Sequence, residues 1–452
     1  MHPALAQRVI HPYLQWRTGS QASPVLATLE QTQWWTPEQL AELQWTSLRD
    51  LLRHASVHVL YYRDLFGHLG AHPEDFRSPD DLRHLPVLTK ETIRDRGADL
   101  VAQGTRPVRT WPTSGSTGVP IRASFDRHGD NWRQAAERRR MRWWGQDVGS
   151  RVATLSTHHY PRKYLWKRRL LLNEGHFFCV DLSAAELSRL HRELVRFRPE
   201  SLRGRPSTLT HFARFVLDHG AGAAVLGLRV VWSSAEVLYP DQREVMARAF
   251  GCPVVDEYGS AENGLIAVEC PEGRLHIVAE NVYLEYRPVS PQGGEISEIL
   301  VTNLRNRAMP FIRYAIGDLG GPVAAPCPCG RGLPLLGLAG GRTADVVVLP
   351  DGRFVDSTAL VRAMEHLPRP IRQFRIIQED PQRFTVLLAA EHGEGMAEVV
   401  RRDFHRILGF PASVDVRLVD EIPPEPTGKL RRFVSRLVHP AVRHRGEVPP
   451  RE

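Results

Sequence analysis

The sequence predicts an α/β protein with a large multi-sheet N-terminal domain and a small α+β C-terminal domain. Between about residue 105 and residue 340, short β-branched runs alternate with helical patterns, which is typical of α/β layers. The glycine-rich residues 337–341 separate two differently patterned regions. A chain of 452 residues is long enough for about three domains. We therefore divide it into residues 1–338, residues 339–438 and a polar, proline-rich tail, residues 439–452, which we expect to be disordered.

The first segment is predicted to be helical. From Leu40 to Val59 apolar residues recur every three to four positions, which indicates an amphipathic helix. Thr36 is its expected N-cap, and Pro37 suits the first helical position. Further along, we expect helices over 184–197 and 240–250 and strands over 152–155, 228–232, 253–255, 296–303 and 310–314.

The C-terminal unit is predicted as alternating strands and helices. Its strands are expected over 346–349, 373–378, 384–389 and 413–418, and its helices over 358–365 and 395–408. A Pro-Asp-Gly turn at 350–352 separates the first strand from the first helix.

Composition excludes several classes of protein. There are 59 basic and 51 acidic residues, but the arginines are scattered among acids, so we do not expect a nucleic-acid binder. No apolar run reaches the ~18 residues of a membrane span. The N-terminus lacks the apolar core of a signal peptide, so we expect a cytoplasmic protein. Only four lysines occur, and because an arginine cannot replace a compact ammonium at a tight site, each lysine is a candidate functional residue.

The sharpest motif is a loop that could hold phosphate groups. Glycines let backbone N–H groups turn inward, and hydroxyl side chains add donors to phosphate oxygens. The motif is not a Walker loop, because no Gly-Lys-Ser/Thr ends it. A flexible polar loop is the alternative. The residues concerned are Thr113, Ser114, Gly115, Ser116, Thr117 and Gly118.

Four other turns carry residues of interest. In DEYGSAENG an aromatic residue, a tight turn and Glu262 follow an apolar run, which suits a nucleotide and Mg²⁺ site. Asp318 follows a glycine and could accept bonds from ribose hydroxyls, and Arg342 lies at the domain boundary. Lys429 stands on the stiff loop PPEPTGKLR. Each of these could equally be an ordinary surface turn.

Taken in order, these segments resemble the adenylate-forming superfamily of acyl-CoA synthetases, luciferases and peptide-synthetase adenylation domains. The nearest branch is the phenylacetate–CoA ligase family, including its capsular-polysaccharide-biosynthesis members. The likeness covers most of the chain, and PDGRFV resembles the capsular-type subgroup in particular. The segments that carry it are LRDLLRHASVHVLYYRDLF, LPVLTKETI, TSGSTGVP, DEYGSAE, YAIGD, GRTAD and PTGKLRR.

The resemblance implies a two-step reaction with ATP and Mg²⁺. A carboxylic acid, expected to be aromatic, would form an acyl-adenylate, and the acyl group would then pass to CoA. The loop from Thr113 to Gly118 would hold the β- and γ-phosphates, Glu262 would hold Mg²⁺ and Asp318 the ribose. Arg342 would lie near ribose and phosphate, and Lys429 would neutralise charge in the transition state from a mobile small domain. The implied adenine-side residues are Ser234, Ala235, Glu236, Glu257, Tyr258, Gly259 and Ser260.

Three departures from the family pattern bear on function. Ile121-Arg122 stands where many relatives have a lysine after the phosphate loop, Ala261 replaces a hydroxyl residue, and Ala344 stands at the expected hinge acid. They leave open an amine acceptor instead of CoA, which would give an amide, and a non-catalytic nucleotide-binding homologue. A homodimer is also open. The acyl pocket is expected near Phe125, His158, His159, Tyr160 and Trp232, although a core role for the aromatic residues is the alternative.

Four residues suit a structural zinc site. Cys270, His276, Cys327 and Cys329 offer three thiolates and one imidazole, the ligands of a closed tetrahedral Zn²⁺ site. The resemblance supports this interpretation, because similar elements recur in phenylacetate–CoA ligases. Free thiols in turns are the alternative.

Overall fold

The protein is described by a computed structural model. The structure describes residues 2–112, 121–156, 160–179, 183–219, 226–289, 297–342, 346–351, 354–365, 367, 371–390, 395–423 and 431–437. The phosphate-loop residues Thr113 to Gly118, the pair His158 and His159, Ala344, Lys429 and the tail 439–452 lie outside these ranges.

The chain begins with helices. Thr36 caps the helix Pro37–His58 with a reciprocal pair of bonds to Gln39, so the expected helix and its cap are confirmed. The helices are α1 (Pro3–Leu5), a π-helical turn (Ala6–Ile10), α2 (His11–Thr18), α3 (Ala22–Thr32), α4 (Pro37–His58) and α5 (Leu60–Leu69). Two 3₁₀ turns (Pro73–Asp75 and Pro79–His84) and α6 (Lys90–Arg96) follow.

An 11-stranded sheet forms the centre of the molecule, with the order β10-β11-β12-β13-β9-β8-β7-β6-β5-β3-β4. Strands β4, β3, β5, β6 and β7 are parallel, and the sheet becomes antiparallel beyond β7. Its strands are β3 (Val152–Ser156), β4 (Glu174–Phe178), β5 (Ser201–Gly204), β6 (Val230–Ser234), β7 (Val254–Ser260), β8 (Gly264–Glu269), β9 (Leu275–Ile277), β10 (Val282–Pro288), β11 (Ser297–Asn303), β12 (Tyr314–Val323) and β13 (Leu335–Arg342). A separate hairpin pairs β1 (Arg109–Pro112) with β2 (Arg122–Phe125).

Helices cover the parallel half of the sheet: α7 (Arg127–Trp143), α8 (Arg162–Leu172), α9 (Ala184–Phe197), α10 (Pro206–Asp218) and α11 (Pro240–Phe250). The limits of α9 and α11 are those predicted. One core joins Leu194, Phe212 and Phe250 of these helices to Val231 of β6. Burying side chains of this size stabilises the fold by roughly 1.5–3 kcal/mol each.

The C-terminal unit has a four-stranded sheet of order β18-β17-β16-β19. Phe384, Ile376 and Phe404 lie in its buried core. Its elements are β14 (Val346–Val348), β15 (Phe354–Asp356), α12 (Thr358–Glu365), β16 (Ile371–Asp380), β17 (Arg383–Ala390), α13 (Met396–Leu408), β18 (Ser413–Leu418) and β19 (Phe433–Ser435). The predicted α/β class with a smaller C-terminal α+β unit is confirmed.

Two segments differ from the prediction. Residues 310–313 do not form a strand, because the Tyr62 hydroxyl donates to the carbonyl of Pro310 and accepts from the N–H of Ile312, at 3.1 and 3.0 Å. Residues 337–341 lie within β13 instead of forming a linker. The paired strand β12 needs glycine at Gly320, because a Cβ there would stand 2.5 Å from the Gly337 carbonyl. Among the described helices, none has the length and apolar character needed to cross a membrane.

Candidate active site

Several predicted site residues within the described part of the chain lie at or just beyond the ends of the parallel strands. Strands β5, β6 and β7 end at Gly204, Ser234 and Ser260, on the same edge of the sheet. In open α/β sheets, ligands bind outside the carboxyl ends of the strands. This edge is therefore the candidate active site.

Glu262 lies in the tight turn between β7 and β8. The turn is held by Ser260, whose Oγ accepts a bond from the N–H of Asn263 at 3.1 Å. Glu262 is buried, and its Oε1 accepts a bond from the Tyr314 hydroxyl at 3.1 Å. A buried acid is thus oriented by a hydroxyl donor.

Three further predicted residues meet beside this turn. The Tyr258 hydroxyl donates to Asp318 Oδ2 at 3.0 Å. Asp318 on β12 is paired in register with Arg342 on β13, and a β-bulge follows Asp318. The side chain of Arg342 is outside the described part of the structure. The sheet therefore brings residues from three distant segments to one place.

Ser234, Ala235 and Glu236 follow β6. Ala235 has a φ of +74°, which is uncommon for a residue other than glycine and costs of order 1–3 kcal/mol. The Glu236 carboxylate accepts a bond from the backbone N–H of Ser207 at 3.1 Å, in the first turn of α10. An acid at a helix N-terminus stabilises the helix. The Glu236 side chain thus fixes the loop, whose backbone remains next to the candidate site.

Glu257 and Tyr258 point to opposite faces of β7, as adjacent residues of a strand do. The Glu257 carboxylate is buried and makes ion pairs with Arg140 and with Arg203, the latter at 3.2 Å. Its charge is therefore balanced on the face opposite Tyr258. Gly259 follows at a bulge, and a side chain there would stand 2.4 Å from the Gly264 carbonyl, so the turn requires glycine.

Asp256 is a further acid of β7, two residues before Tyr258. Burial raises its pKa to about 7, and the nearby Glu269 carboxylate contributes in the same direction. Asp256 thus holds a proton in the folded protein at pH values where an exposed aspartate is ionised.

Two of the aromatic residues considered for an acyl pocket are core residues. Trp232 is 2% exposed and Phe125 is 1% exposed. Trp232 packs edge-on against Trp144 and donates to Gln146 Oε1 at 3.3 Å. The core interpretation is therefore correct for both residues.

Cys270, His276, Cys327 and Cys329 form one cluster, in which all ligand atoms lie within 4.8 Å of one another. The Sγ atoms of Cys270 and Cys327 are 3.6 Å apart, and Cys329 Sγ lies 3.3 Å from His276 Nε2. Tetrahedral zinc with Zn–S bonds of ~2.3 Å places its sulfur ligands ~3.8 Å apart. The cluster therefore has the chemistry and the dimensions of a metal site.

The surroundings orient these four side chains. His276 Nδ1 lies 3.0 Å from the Leu333 carbonyl, to which it donates, so Nε2 faces the thiols. Burial lowers the pKa of His276 to about 4, so the ring is neutral, as a metal ligand must be. Gly273 and Gly330 have positive φ and close tight turns after Cys270 and Cys327, whose carbonyls accept from their N–H groups.

Sequence reasoning missed two contacts at the site. Tyr314 holds Glu262, and Arg432 ties the C-terminal unit to α11 by a two-bond contact with Asp241, at 3.2 and 3.1 Å. Tyr314 stands four residues before Asp318, and a search for aromatic residues near predicted ligands could have found it. The sequence carries no local signal for Arg432 and Asp241, which are 191 residues apart.

Comparison with known proteins assigns the fold to a class. A crystal structure of 2-hydroxyisobutyryl-CoA ligase in the postadenylation state superimposes with a TM-score of 0.73 at 20% identity, covering 92% of this chain and 93% of that chain. The same ligase in the thioesterification state superimposes with a TM-score of 0.59. The fold is that of the adenylate-forming CoA ligases.

Sequence relatives make the assignment more specific. The family model of the CapK C-terminal domain matches residues 347–436. Protein CapK of Staphylococcus aureus is 22% identical over 372 residues, which are 79% of this chain and 81% of that protein. Phenylacetate-coenzyme A ligase of Escherichia coli (strain K12) is 28% identical over 305 residues, 62% of this chain and 67% of that protein. The chain is homologous to CapK and to the phenylacetate–CoA ligases.

Proposed function

We propose that this chain is an AMP-forming acid–CoA ligase. A carboxylate oxygen attacks the α-phosphorus of ATP, which gives an acyl-adenylate and releases pyrophosphate. The CoA thiolate then attacks the acyl carbon, which gives a thioester and releases AMP. Homology to the phenylacetate–CoA ligases supports this class of enzyme. One observation carries the proposal. Tyr258 bonds to Asp318, and Asp318 pairs in register with Arg342. Both contacts lie near the turn that holds Glu262.

The nucleotide would lie along this edge. We assign its adenine to the loop backbone of Ser234–Glu236 and to Tyr258, and its ribose hydroxyls to Asp318, which Tyr258 orients. The loop 113–118 and Arg342 would contact the phosphates. Asp318 can accept bonds from two vicinal hydroxyls because its carboxylate presents two oxygens.

Charge develops on the α-phosphate and on the carboxylate during adenylation. Lys429 is the cation that we assign to these oxygens, and one lost donor of this kind typically costs ~3–4 kcal/mol. Glu262 is the acid that we assign to Mg²⁺, because Mg²⁺ is usually held by one or two carboxylates together with phosphates. When bound, Mg²⁺ would offset phosphate charge. The Tyr314 bond fixes the Glu262 carboxylate in place for this task.

We propose that the Cys270–His276–Cys327–Cys329 cluster binds structural zinc. Four protein ligands leave no open position, so the metal would take no part in the reaction. Cys270 follows β8 and Cys327 lies between β12 and β13, so zinc would fasten two hairpins of the antiparallel half-sheet.

An aromatic acid is the substrate class that we propose, on the strength of the phenylacetate–CoA ligase relatives. We also propose that the N-terminal domain and the C-terminal unit act as separate units during the two steps, with their boundary after β13 instead of at residue 338. An amine acceptor is the second candidate, because Ala344 stands where the resemblance places the hinge acid of the CoA-dependent step.

The test is acid-dependent exchange of pyrophosphate into ATP, with a panel of aryl and fatty acids. Exchange with one acid, lost in Lys429→Ala and kept in the exposed-lysine control Lys167→Ala, supports the proposal. Product analysis with CoA or amines then separates thioester from amide. ATP binding without exchange for any acid contradicts the enzyme assignment and favours a nucleotide-binding homologue.

A further inference from the structure

Two neighbouring helical segments carry aromatic and basic side chains on an exposed face. The first is the continuous helix formed by α1, the π-helical turn and α2. The second is α8, which crosses between β3 and β4 at the edge of the large sheet and packs against the π-helical turn. We call this the aromatic–basic surface. It consists of Leu5, Arg8, Val9, Tyr13, Trp16, Arg17, Arg162, Lys163, Trp166, Lys167 and Leu170.

The apolar side chains of this surface are unusually exposed. Trp16 is 78% and Trp166 is 65% exposed, more than any other large apolar side chain in the described part of the chain. Helix α8 buries none of its residues. A single exposed apolar residue needs no explanation, but a contiguous group on two packed elements indicates an interaction site.

Basic residues are interleaved with the apolar ones. Lys163, Trp166, Lys167 and Leu170 have the spacing i, i+3, i+4, i+7, which places them on one face of α8. Two of the four lysines of the chain therefore lie here. Neither α8 nor residues 2–29 contain an acidic residue. Within α8, Arg168 alone makes an ion pair among the described residues, with Glu174.

We propose that the aromatic–basic surface binds peripherally to an anionic membrane. Tryptophan and tyrosine prefer the membrane–water interface, and helices with Lys and Arg beside Trp and Leu lie in its plane. The cations would meet lipid phosphates and the rings would enter the headgroup region. A second copy of the chain is disfavoured as the occupant, because it would bring the same cations with no acids to oppose them. This inference does not depend on the proposed function.

The test is flotation of the full-length protein with lipid vesicles. Vesicles of phosphatidylcholine alone are compared with vesicles in which phosphatidylglycerol replaces part of that lipid. We expect binding to the anionic vesicles that weakens as salt is added. Each cation near such a surface contributes about 1 kcal/mol, so Lys163→Gln/Lys167→Gln should lower the partition coefficient about 30-fold. Trp16→Ala/Trp166→Ala should lower it about tenfold or more.

The matched control is Arg192→Gln/Arg196→Gln, which removes two exposed cations with the same spacing from α9. It should bind as the unmodified protein does, and melting curves check that every variant is folded. Equal binding to both kinds of vesicle, no binding to anionic vesicles, or an equal loss in the control overturns the proposal. Retention on heparin or on an acidic protein without vesicle binding also overturns it.

Discussion

The contact between Arg432 and Asp241 is predicted to support adenylation. The Arg432 guanidinium makes two bonds to the Asp241 carboxylate and lies 4.5 Å from the Tyr239 ring centre and 5.0 Å from that of Phe374. Lys429 stands three residues before Arg432, and Tyr239 follows the loop that begins at Ser234. The contact thus holds Arg432 against Asp241 in the first turn of α11.

The size of the effect follows from the burial of the pair. A hydrogen-bonded pair with charged groups contributes about 1.5–3 kcal/mol when well buried. The side chains of Arg432 and Asp241 are 16% and 28% exposed, so solvent screening reduces this to about 1–2 kcal/mol. Arg432→Ala should therefore slow pyrophosphate exchange about 5- to 30-fold. Arg432→Lys keeps the charge but loses the two-pronged geometry of the guanidinium. Its exchange rate should lie between that of the unmodified protein and that of Arg432→Ala.

The assay is the same acid-dependent exchange, measured with a control variant in the C-terminal unit. Arg436→Ala removes an exposed ion pair with Glu379 and should leave exchange within about twofold of the unmodified rate, because exposed pairs contribute little. The small domain is expected to leave this position for acyl transfer, so CoA transfer from a supplied acyl-adenylate should be less affected. Unchanged exchange in a correctly folded Arg432→Ala protein would refute the reasoning.

Three further results are expected. Glu262→Gln should lower the rate of pyrophosphate exchange about 100-fold or more. Tyr314→Phe should lower it about fivefold, because this change removes only one orienting bond. Both rates are measured at saturating Mg²⁺. Native mass spectrometry should find about one zinc per chain, with both the metal and part of the thermal stability lost in Cys329→Ser. Asp256 binds its proton more tightly in the folded than in the unfolded state, so the free energy of unfolding should fall as pH rises from about 4 to about 7 and then level off. Asp256→Asn should remove that slope in urea-unfolding experiments.

The fold was predictable where local patterns decide it. Helix α9 has the limits predicted for it, and the structure shows that Ser183 caps it. The predicted strand over 310–314 was wrong because residues 310–313 form a buried loop. The backbone polar groups of this loop bond to Tyr62 of α5 instead of to a neighbouring strand. Such a partner, about 250 residues away, has no trace in the local pattern.

The site was predictable as residue types but not as geometry. Cys270 and His276 carry their chemistry in a short spacing, and the structure places them with Cys327 and Cys329 as expected for one cluster. The bonds that orient the candidate active site, from Tyr314 to Glu262 and from Tyr258 to Asp318, depend on the register of the sheet. Register arises from packing of the whole sheet and its bulges, which no single segment determines.

The partners of the buried acids help to separate structural acids from candidate ligands. Glu280 and Glu257 are both paired with guanidinium groups, Glu280 with Arg139 at 2.6 Å, so their charge is neutralised inside the fold. Glu262 is also buried, but its described bond comes from the neutral Tyr314 hydroxyl. Burying a carboxylate without a counter-charge is costly unless a cation arrives from elsewhere. Among the described residues, Glu262 thus has no guanidinium partner, whereas Glu257 has two. This difference favours Glu262 over Glu257 as the acid that meets the metal and the nucleotide.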